Sequence, residues 1–481
     1  MPTERPMIIP EPKVCEKRSG EIKIPPHICC KEAQWSAQCE AFCQAAKNIF
    51  DVDFTEGCGG IEVIRDDSLA AEHYVVDIEK QVTVYAPDMQ ALSYAFATVL
   101  QLAGLDLSFE CQRIEDHADK PYRALFADLA RKWHPFPTLL HYVDICYYYK
   151  LSYIHLHFMD DQGYRLPSAK FPNLPAPGRS YTFEEIETLR AYASARGVHI
   201  IPEIEMPGHA TSLTAAYPDL FGDTLDTDSD EVMRTESGIV VNRKACVCAG
   251  SEVTESALQA LIDEVIALFP ESQYLHLGGD EVNTAVWKQC ATCRAYMQKH
   301  NIQSPAELYC EFTARMTNYV LSKGKTPIIW EGFSKQYSHM ISRDVVVISW
   351  ENHYQNTNDL LEGGFKIINF TWQPNYIIPS ITHNDWNVKS VLDWSVYEWQ
   401  HWWPKSDAYL NPIRIAPTDA VLGAQLGQWE CYYEFALPQR VEKLAALSER
   451  TWNIKRRCTY DDFLLRLDTQ LKKLYALIAN R

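Results

Sequence analysis

Eight short apolar runs recur from about residue 120 to the C-terminus, each ending in residues that a core would not choose. No other feature limits the possible folds of this chain as strongly. They are "YRALFADLA", "LSYIHLHFM", "VHIIPEIEM", "YLHLGGDE", "TPIIWEG", "VVVISWE", "FKIINFTW" and "AVLGAQLGQW". Amphipathic stretches at helical spacing separate them, the pattern of parallel β/α units. Eight such strands close a barrel, so the expected class is α/β, a (β/α)8 TIM barrel over residues 120–481 that ends in a C-terminal helix. With 481 residues the chain exceeds one ordinary domain. Residues 1–115 carry strand-like runs ("IEVI", "HYVVDI", "QVTVYAP") and then "MQALSYAFATVLQLA", apolar at helical spacing. A small α+β N-terminal domain is expected there.

The strand ends carry the chemistry. Asp160, Asp161 and Gln162 follow the second run, Glu205 and His209 the third, and Asp280 and Glu281 the fourth. Trp330, Trp350 and Trp429 follow the fifth, sixth and eighth, with Trp372 and Tyr376 after the seventh. In a barrel these ends share one face, where such folds do their chemistry. Within "YLHLGGDEVN", Gly278 and Gly279 let the strand end bend, so that two neighbouring carboxylates reach one pocket. Two acids, an Arg, a His and several Trp suit glycoside cleavage, in which one carboxylic acid protonates the leaving oxygen while a second group stabilises developing positive charge. Adjacent residues on one strand diverge, which leaves the second carboxylate poorly placed to attack the anomeric carbon. A 2-acetamido group on the substrate removes that difficulty by supplying its own carbonyl oxygen as nucleophile.

Composition narrows the partners. A net charge of -18 is unfavourable for nucleic acid or an anionic membrane, while 13 Trp and 26 Tyr supply flat faces of the kind sugar rings pack against. The start "MPTERPMIIPEPK" has no apolar run suited to a signal peptide, and no stretch reaches the length of a membrane span. The protein is therefore expected to be cytoplasmic, or exported with its leader already removed. Fifteen cysteines, an odd number in a long chain, argue against a complete disulfide framework. Cys246/Cys248 and Cys290/Cys293 have the spacing of a four-thiolate zinc site and flank one predicted helix; buried or free thiols are the plainer alternative.

Five segments resemble, in order, the motifs of the family 20 glycoside hydrolases, the β-N-acetylhexosaminidases. "HLGGDEV" matches the family's catalytic motif; "HLHFMDDQGYRLPSAKFPNL" and "IPEIEMPGHA" resemble its second- and third-strand motifs. "YRALFADLARKWHP" is similar to its first-strand segment and "VEKLAALSERTWN" to its closing helix, while "IIPEPK" is similar to the start of its accessory domain. The resemblance implies a retaining exo-enzyme that removes terminal β-linked GlcNAc or GalNAc from glycans, with no cofactor and no catalytic metal. Glu281 would be general acid/base and Asp280 would hold the acetamido nitrogen. Arg123 would bind sugar hydroxyls, and Asp160 and His209 would form a relay beneath the pair. Trp330, Trp350 and Trp429 would wall the pocket, and Tyr376 would donate to the acetamido oxygen.

Two departures stand out. The family usually places Asp or Asn two positions after the seventh-strand tyrosine, where this chain has Ile378. It usually places Glu two positions after the eighth-strand Trp, where this chain has Cys431, with carboxylates nearby at Glu430 and Glu434. Those two acids normally grip the hydroxyls at C4 and C6, so their loss implies tolerance of 6-substituted sugars unless Glu430 or Glu434 substitutes. Two other readings remain open at this point. His155 and His157 form an HxH pair at a strand end, which can begin a metal-dependent hydrolase site. A non-catalytic sugar-binding barrel is the other.

Overall fold

The computed structural model of the chain describes residues 6–222, 224–225, 233–234, 240–241, 245–379 and 386–479. Eight parallel strands close on themselves: Tyr122–Asp128, Tyr153–His157, His199–Glu203, Tyr274–His276, Thr326–Trp330, Val346–Ser349, Lys366–Asn369 and Val421–Gln428. The eighth strand pairs with the seventh (Ile367 beside Val421) and with the first (Tyr122 beside Gly423), which completes the (β/α)8 barrel expected from the eight apolar runs. The first strand is buried throughout, because one face looks into the barrel and the other is covered by helices.

Alternation along the strands sorts the core into two layers. Tyr122, Ala124 and Phe126 point inward and meet Ile201, Ile328, Val346 and Ile368 in the barrel interior. Leu125 and Ala127 point outward to the helix layer. The helices start where local chemistry dictates. Thr182 and Glu185 form a reciprocal capping box before Phe183–Ser194, Ser251 caps Glu252–Leu268, and Ser304 caps Pro305–Ser322 with proline in its first turn.

Upstream, Val14–Lys23, His27–Cys30, Thr55–Glu56, Ile61–Arg65, Tyr74–Ile78, Val82–Ala86 and Ser108–Asp116 form one mixed sheet. Helices Ser36–Phe50 and Met89–Leu102 accompany it. The terminal helix Tyr460–Ala479 returns to this region, where Asn48 Nδ2 donates to Leu477 O at 3.2 Å. Among the described residues no helix is long and apolar enough to cross a membrane.

Candidate active site

The fourth strand stops at His276, so Asp280 and Glu281 do not continue it. Gly278 (φ 66°), Gly279 (φ 100°) and Glu281 (φ 47°) all adopt left-handed backbone, which turns the chain across the barrel mouth. A Cβ on Gly278 would lie 1.7 Å from Glu205 Oε2, so this approach requires glycine. The turn overrides the divergence expected of adjacent strand residues. Glu281 Oε2 and Asp280 Oδ2 lie 3.4 and 3.9 Å from the same atom, His209 Nε2. Both acids therefore stand on one side of the pocket.

Behind His209, acids and imidazoles alternate. His209 Nδ1 lies 3.2 Å from Asp160 Oδ1, Asp160 Oδ2 lies 3.0 Å from His157 Nε2, and His157 Nδ1 lies 2.8 Å from Glu203 Oε2. Burial alone would lower the pKa of His209, but Asp160 and Asp280 raise it well above the usual imidazole value. Burial would raise Asp160, yet Arg131, His209 and His157 hold it well below the carboxylate range. Asp280 is pushed up to about 6, first by burial and then by Glu281 and Glu203, with His209 and Arg131 pulling the other way. Beneath it Glu205 is raised well above its ordinary value by burial, Asp280 and Glu203. Asp161 also touches His209, at 3.3 Å, and accepts the Thr211 N–H at the start of a short helix. Asp160 thus joins the row of acids and imidazoles, while Asp161 also holds Thr211.

Aromatic rings close around this chain. Trp330 meets Trp350 edge-on at 6.3 Å, Trp350 meets Trp372 at 6.5 Å, Trp372 stacks on Tyr376 at 4.3 Å, Tyr376 faces Trp429 at 6.4 Å, and Trp429 returns to Trp330 at 5.9 Å. Trp330 is the deepest of them, its indole N–H donating to Glu203 Oε1 at 2.6 Å. The Trp372 indole makes no well-formed hydrogen bond among the described residues, leaving a polar donor inside an apolar ring.

One sequence expectation is corrected. Arg123 lies at the start of the first strand and, by alternation with Tyr122 and Ala124, points out of the barrel. It is fully buried and donates to Lys120 O, Lys150 O and Tyr94 Oη, beneath the opposite end of the barrel. The arginine at the barrel mouth is Arg131, three residues past the end of that strand. It pairs with Asp160 at 2.8 Å, lies 3.8 Å from Asp128 and packs over Trp429 at 4.8 Å. Position along "YRALFADLAR" carried the missed signal, since only residues after the strand can reach its carboxyl end.

Other groups escaped the sequence reading. Glu331 accepts the backbone N–H groups of Asn352, His353, Tyr354 and Gln355, which fixes the sixth-strand loop. That loop presents Glu351, raised to about 8 by burial and by Glu331, Glu281 and Asp280. The two departures also separate. Cys431 is 1% exposed and its thiol reaches Ile377 O at 3.6 Å, so it lies behind the wall. Glu430 is exposed, its N–H donates to Asp128, and its charge acts on Arg131. Ile378 packs into the aromatic cluster itself.

The HxH pair lies inside the barrel, among acids. His155 and His157 are buried, and His155 nitrogens lie 3.1 Å from both Gln425 Oε1 and Glu203 Oε2. His157 is held between Asp160 and Glu203. Each ring is engaged by carboxylates of the buried row, so the pair belongs to that row of acids and imidazoles.

The fold and this site define a (β/α)8 barrel whose mouth holds a carboxylate pair on a row of acids and imidazoles beside an aromatic cluster. Residues 121–455 match the glycosyl hydrolase family 20 catalytic domain, and the chain belongs to that family. A beta-hexosaminidase of Akkermansia muciniphila is 35% identical over 256 residues, 49% of this chain and 50% of that protein. One from Porphyromonas gingivalis is 26% identical over 446 residues, 84% of this chain and 54% of that protein. The chain thus spans about half the length of the curated relatives it matches. The structure of a beta-N-acetylhexosaminidase from Bacteroides fragilis superposes with a TM-score of 0.78 at 24% identity, covering 96% of this chain and 94% of that one. An exo beta-N-acetylglucosaminidase from Vibrio harveyi gives 0.78 at 22%, covering 99% and 78%.

Proposed function

We propose that the protein is a retaining exo-β-N-acetylhexosaminidase that removes terminal β-linked N-acetylhexosamine from glycans by substrate-assisted catalysis. The observation that carries this reading is the placement of Asp280 and Glu281 on one imidazole, at one side of an aromatic cleft. A double displacement by two protein carboxylates needs them on opposite sides of the bond; two acids on one side suit a nucleophile that comes from the substrate.

Glu281, with its side chain 42% exposed at the mouth, protonates the glycosidic oxygen. The acetamido oxygen then attacks the anomeric carbon from the other face, the aglycone departs, and Asp280 balances the charge of the oxazolinium through its N–H. Glu281 next takes a proton from water as that water opens the ring, which returns the β configuration. The His209–Asp160–His157 relay keeps a positive imidazole beside the two acids. Tyr376 donates to the acetamido oxygen, and Trp330, Trp350 and Trp429 enclose its methyl group. Arg131 and Glu430 take the hydroxyl grip first assigned to Arg123 and to the position of Cys431. Tolerance of 6-substituted sugars then rests on Ile378 alone, where an acid would repel an anion.

The test is hydrolysis of aryl N-acetyl-β-glucosaminide and galactosaminide, with the first-formed anomer read by NMR and a thiazoline analogue of the oxazoline as inhibitor. Retention with competitive inhibition is expected; inversion, or indifference to the thiazoline, removes the mechanism. For the finer point, Ile378→Asp is expected to depress cleavage of a 6-sulfated substrate more than that of the unsulfated one.

A further inference from the structure

Three thiols meet beside the loop that carries the catalytic pair. Cys248 Sγ lies 3.6 Å from Cys290 Sγ and 3.6 Å from Cys293 Sγ, and the three sulfurs lie within 4.8 Å of one another. A tetrahedral zinc with Zn–S of ~2.3 Å sets its sulfurs about 3.8 Å apart, so these edges have the length of a thiolate metal site. They are far from the ~2.05 Å of a disulfide, and one sulfur equidistant from two others is not the arrangement a single disulfide requires.

The surroundings are built for thiolates. Cys290 caps the N-terminus of helix Ala291–Lys299, where the helix dipole favours negative charge, and its sulfur accepts the Cys293 N–H at 3.5 Å. Gly250 lets the two segments touch: a Cβ there would lie 2.9 Å from Cys293 Cα. Cys246 is buried two residues upstream of Cys248, on the strand Ala245–Cys246; its thiol lies outside the cluster of three and turns in to complete the four-thiolate spacing only when a metal is bound.

We propose that Cys248, Cys290 and Cys293, with Cys246 as fourth ligand, hold a structural zinc ion that clamps the third- and fourth-strand loops together. The clamp has a direct line to the catalytic groups. Val247 N donates to Pro207 O, two residues before His209, and the buried Trp287 indole, six residues after Glu281, donates to Val247 O at 3.1 Å. The metal therefore ties the loop of His209 to the loop of the acids, from outside the pocket and with no role in bond cleavage.

The test reads metal rather than activity, so its failure is distinguishable from failure of the glycosidase assignment. Full-length protein purified under reducing conditions without chelator, and offered equimolar Zn2+, is expected to retain one zinc per chain by mass spectrometry after desalting. Replacement by Co2+ is expected to give tetrahedral d–d bands and sulfur-to-cobalt charge transfer. Cys290→Ser/Cys293→Ser should abolish both, whereas Glu281→Gln should keep full zinc. Cys246→Ser should lower the charge transfer by the share of one thiolate in four; unchanged intensity removes Cys246 from the site. If the double variant does not fold, the cobalt spectrum of the wild type still decides. No zinc above background, or cobalt bound without charge transfer, overturns the proposal.

Discussion

The two ends of the barrel both bury charge, and they treat it in opposite ways. At the amino end Lys150 Nζ lies 3.4 Å from Asp116 Oδ2 and donates to Tyr74 Oη at 2.7 Å, while the Trp452 indole donates to Asp116 Oδ1. Arg123 gives its donors to backbone carbonyls and Tyr94. Burial still draws Lys150 down to about 8, but Lys150 and Arg123 both face acceptors. At the carboxyl end, Asp280, Glu281, Glu205 and Glu351 crowd one another, Asp280 and Glu351 are held near neutrality, and the backbone of His209, Glu281 and Glu430 is left-handed. Paired buried charge fixes the domains against each other. Crowded buried charge lifts the pKa values of the acids toward neutral pH.

The comparison makes its largest prediction at the mouth. Glu281→Gln is expected to lower kcat by about 100- to 10,000-fold for substrates with poor leaving groups, and by less for activated aryl glycosides. A leaving-group series checks this; a loss independent of leaving-group acidity would mean Glu281 is not the acid. The counterpart at the other end is Asp116→Asn, which strands Lys150 in the interior. It is expected to cost about 3–5 kcal/mol in denaturant unfolding, with kcat of the folded enzyme unchanged. A variant as stable as wild type would break the comparison.

Much of this division was legible in the chain. The barrel could be read because eight largely buried strands must be apolar on both faces, and the site because polar and aromatic residues at strand ends have no packing reason to be there. What could not be read came from turns and from spatial pairing. Asp280 and Glu281 look like strand residues until the left-handed turns at Gly278 and Gly279 bring both to His209. Arg123 and Arg131 lie in one matching segment, and only the end of the strand at Asp128 separates them. Glu331 gives no periodic signal, because its partners are backbone N–H groups some twenty residues on.

The two arginines sharpen the contrast at intermediate size. Arg131→Met removes a charged hydrogen bond, worth about 1.5–3 kcal/mol, from the mouth. It should reduce kcat/KM by about 10- to 150-fold and, by taking a cation from buried Asp160, also lower the melting temperature. Arg123→Met leaves buried carbonyls without donors and is expected to cost about 1–3 kcal/mol of stability, with kcat/KM intact. Exchange of these two outcomes would return the substrate role to Arg123.

The smallest effect has the most telling sign. Asp280 titrates near 6 in the folded protein, above the ~3.9 of an unfolded aspartate. Below pH ~4 both states hold the proton and the group favours neither; between ~4 and ~6 the native state binds more protons than the unfolded one, so stability falls as pH rises through that window. Asp280→Asn removes the ionisation and with it the penalty. The variant should match wild type near pH 4 and become more stable by about 1–3 kcal/mol above pH 6, while losing acetamido-substrate hydrolysis. Melting temperatures of the two proteins across pH 4–8 measure this. Parallel curves, or an Asn variant that is less stable at pH 7, would mean that Asp280 is as well compensated as the charges at the amino end.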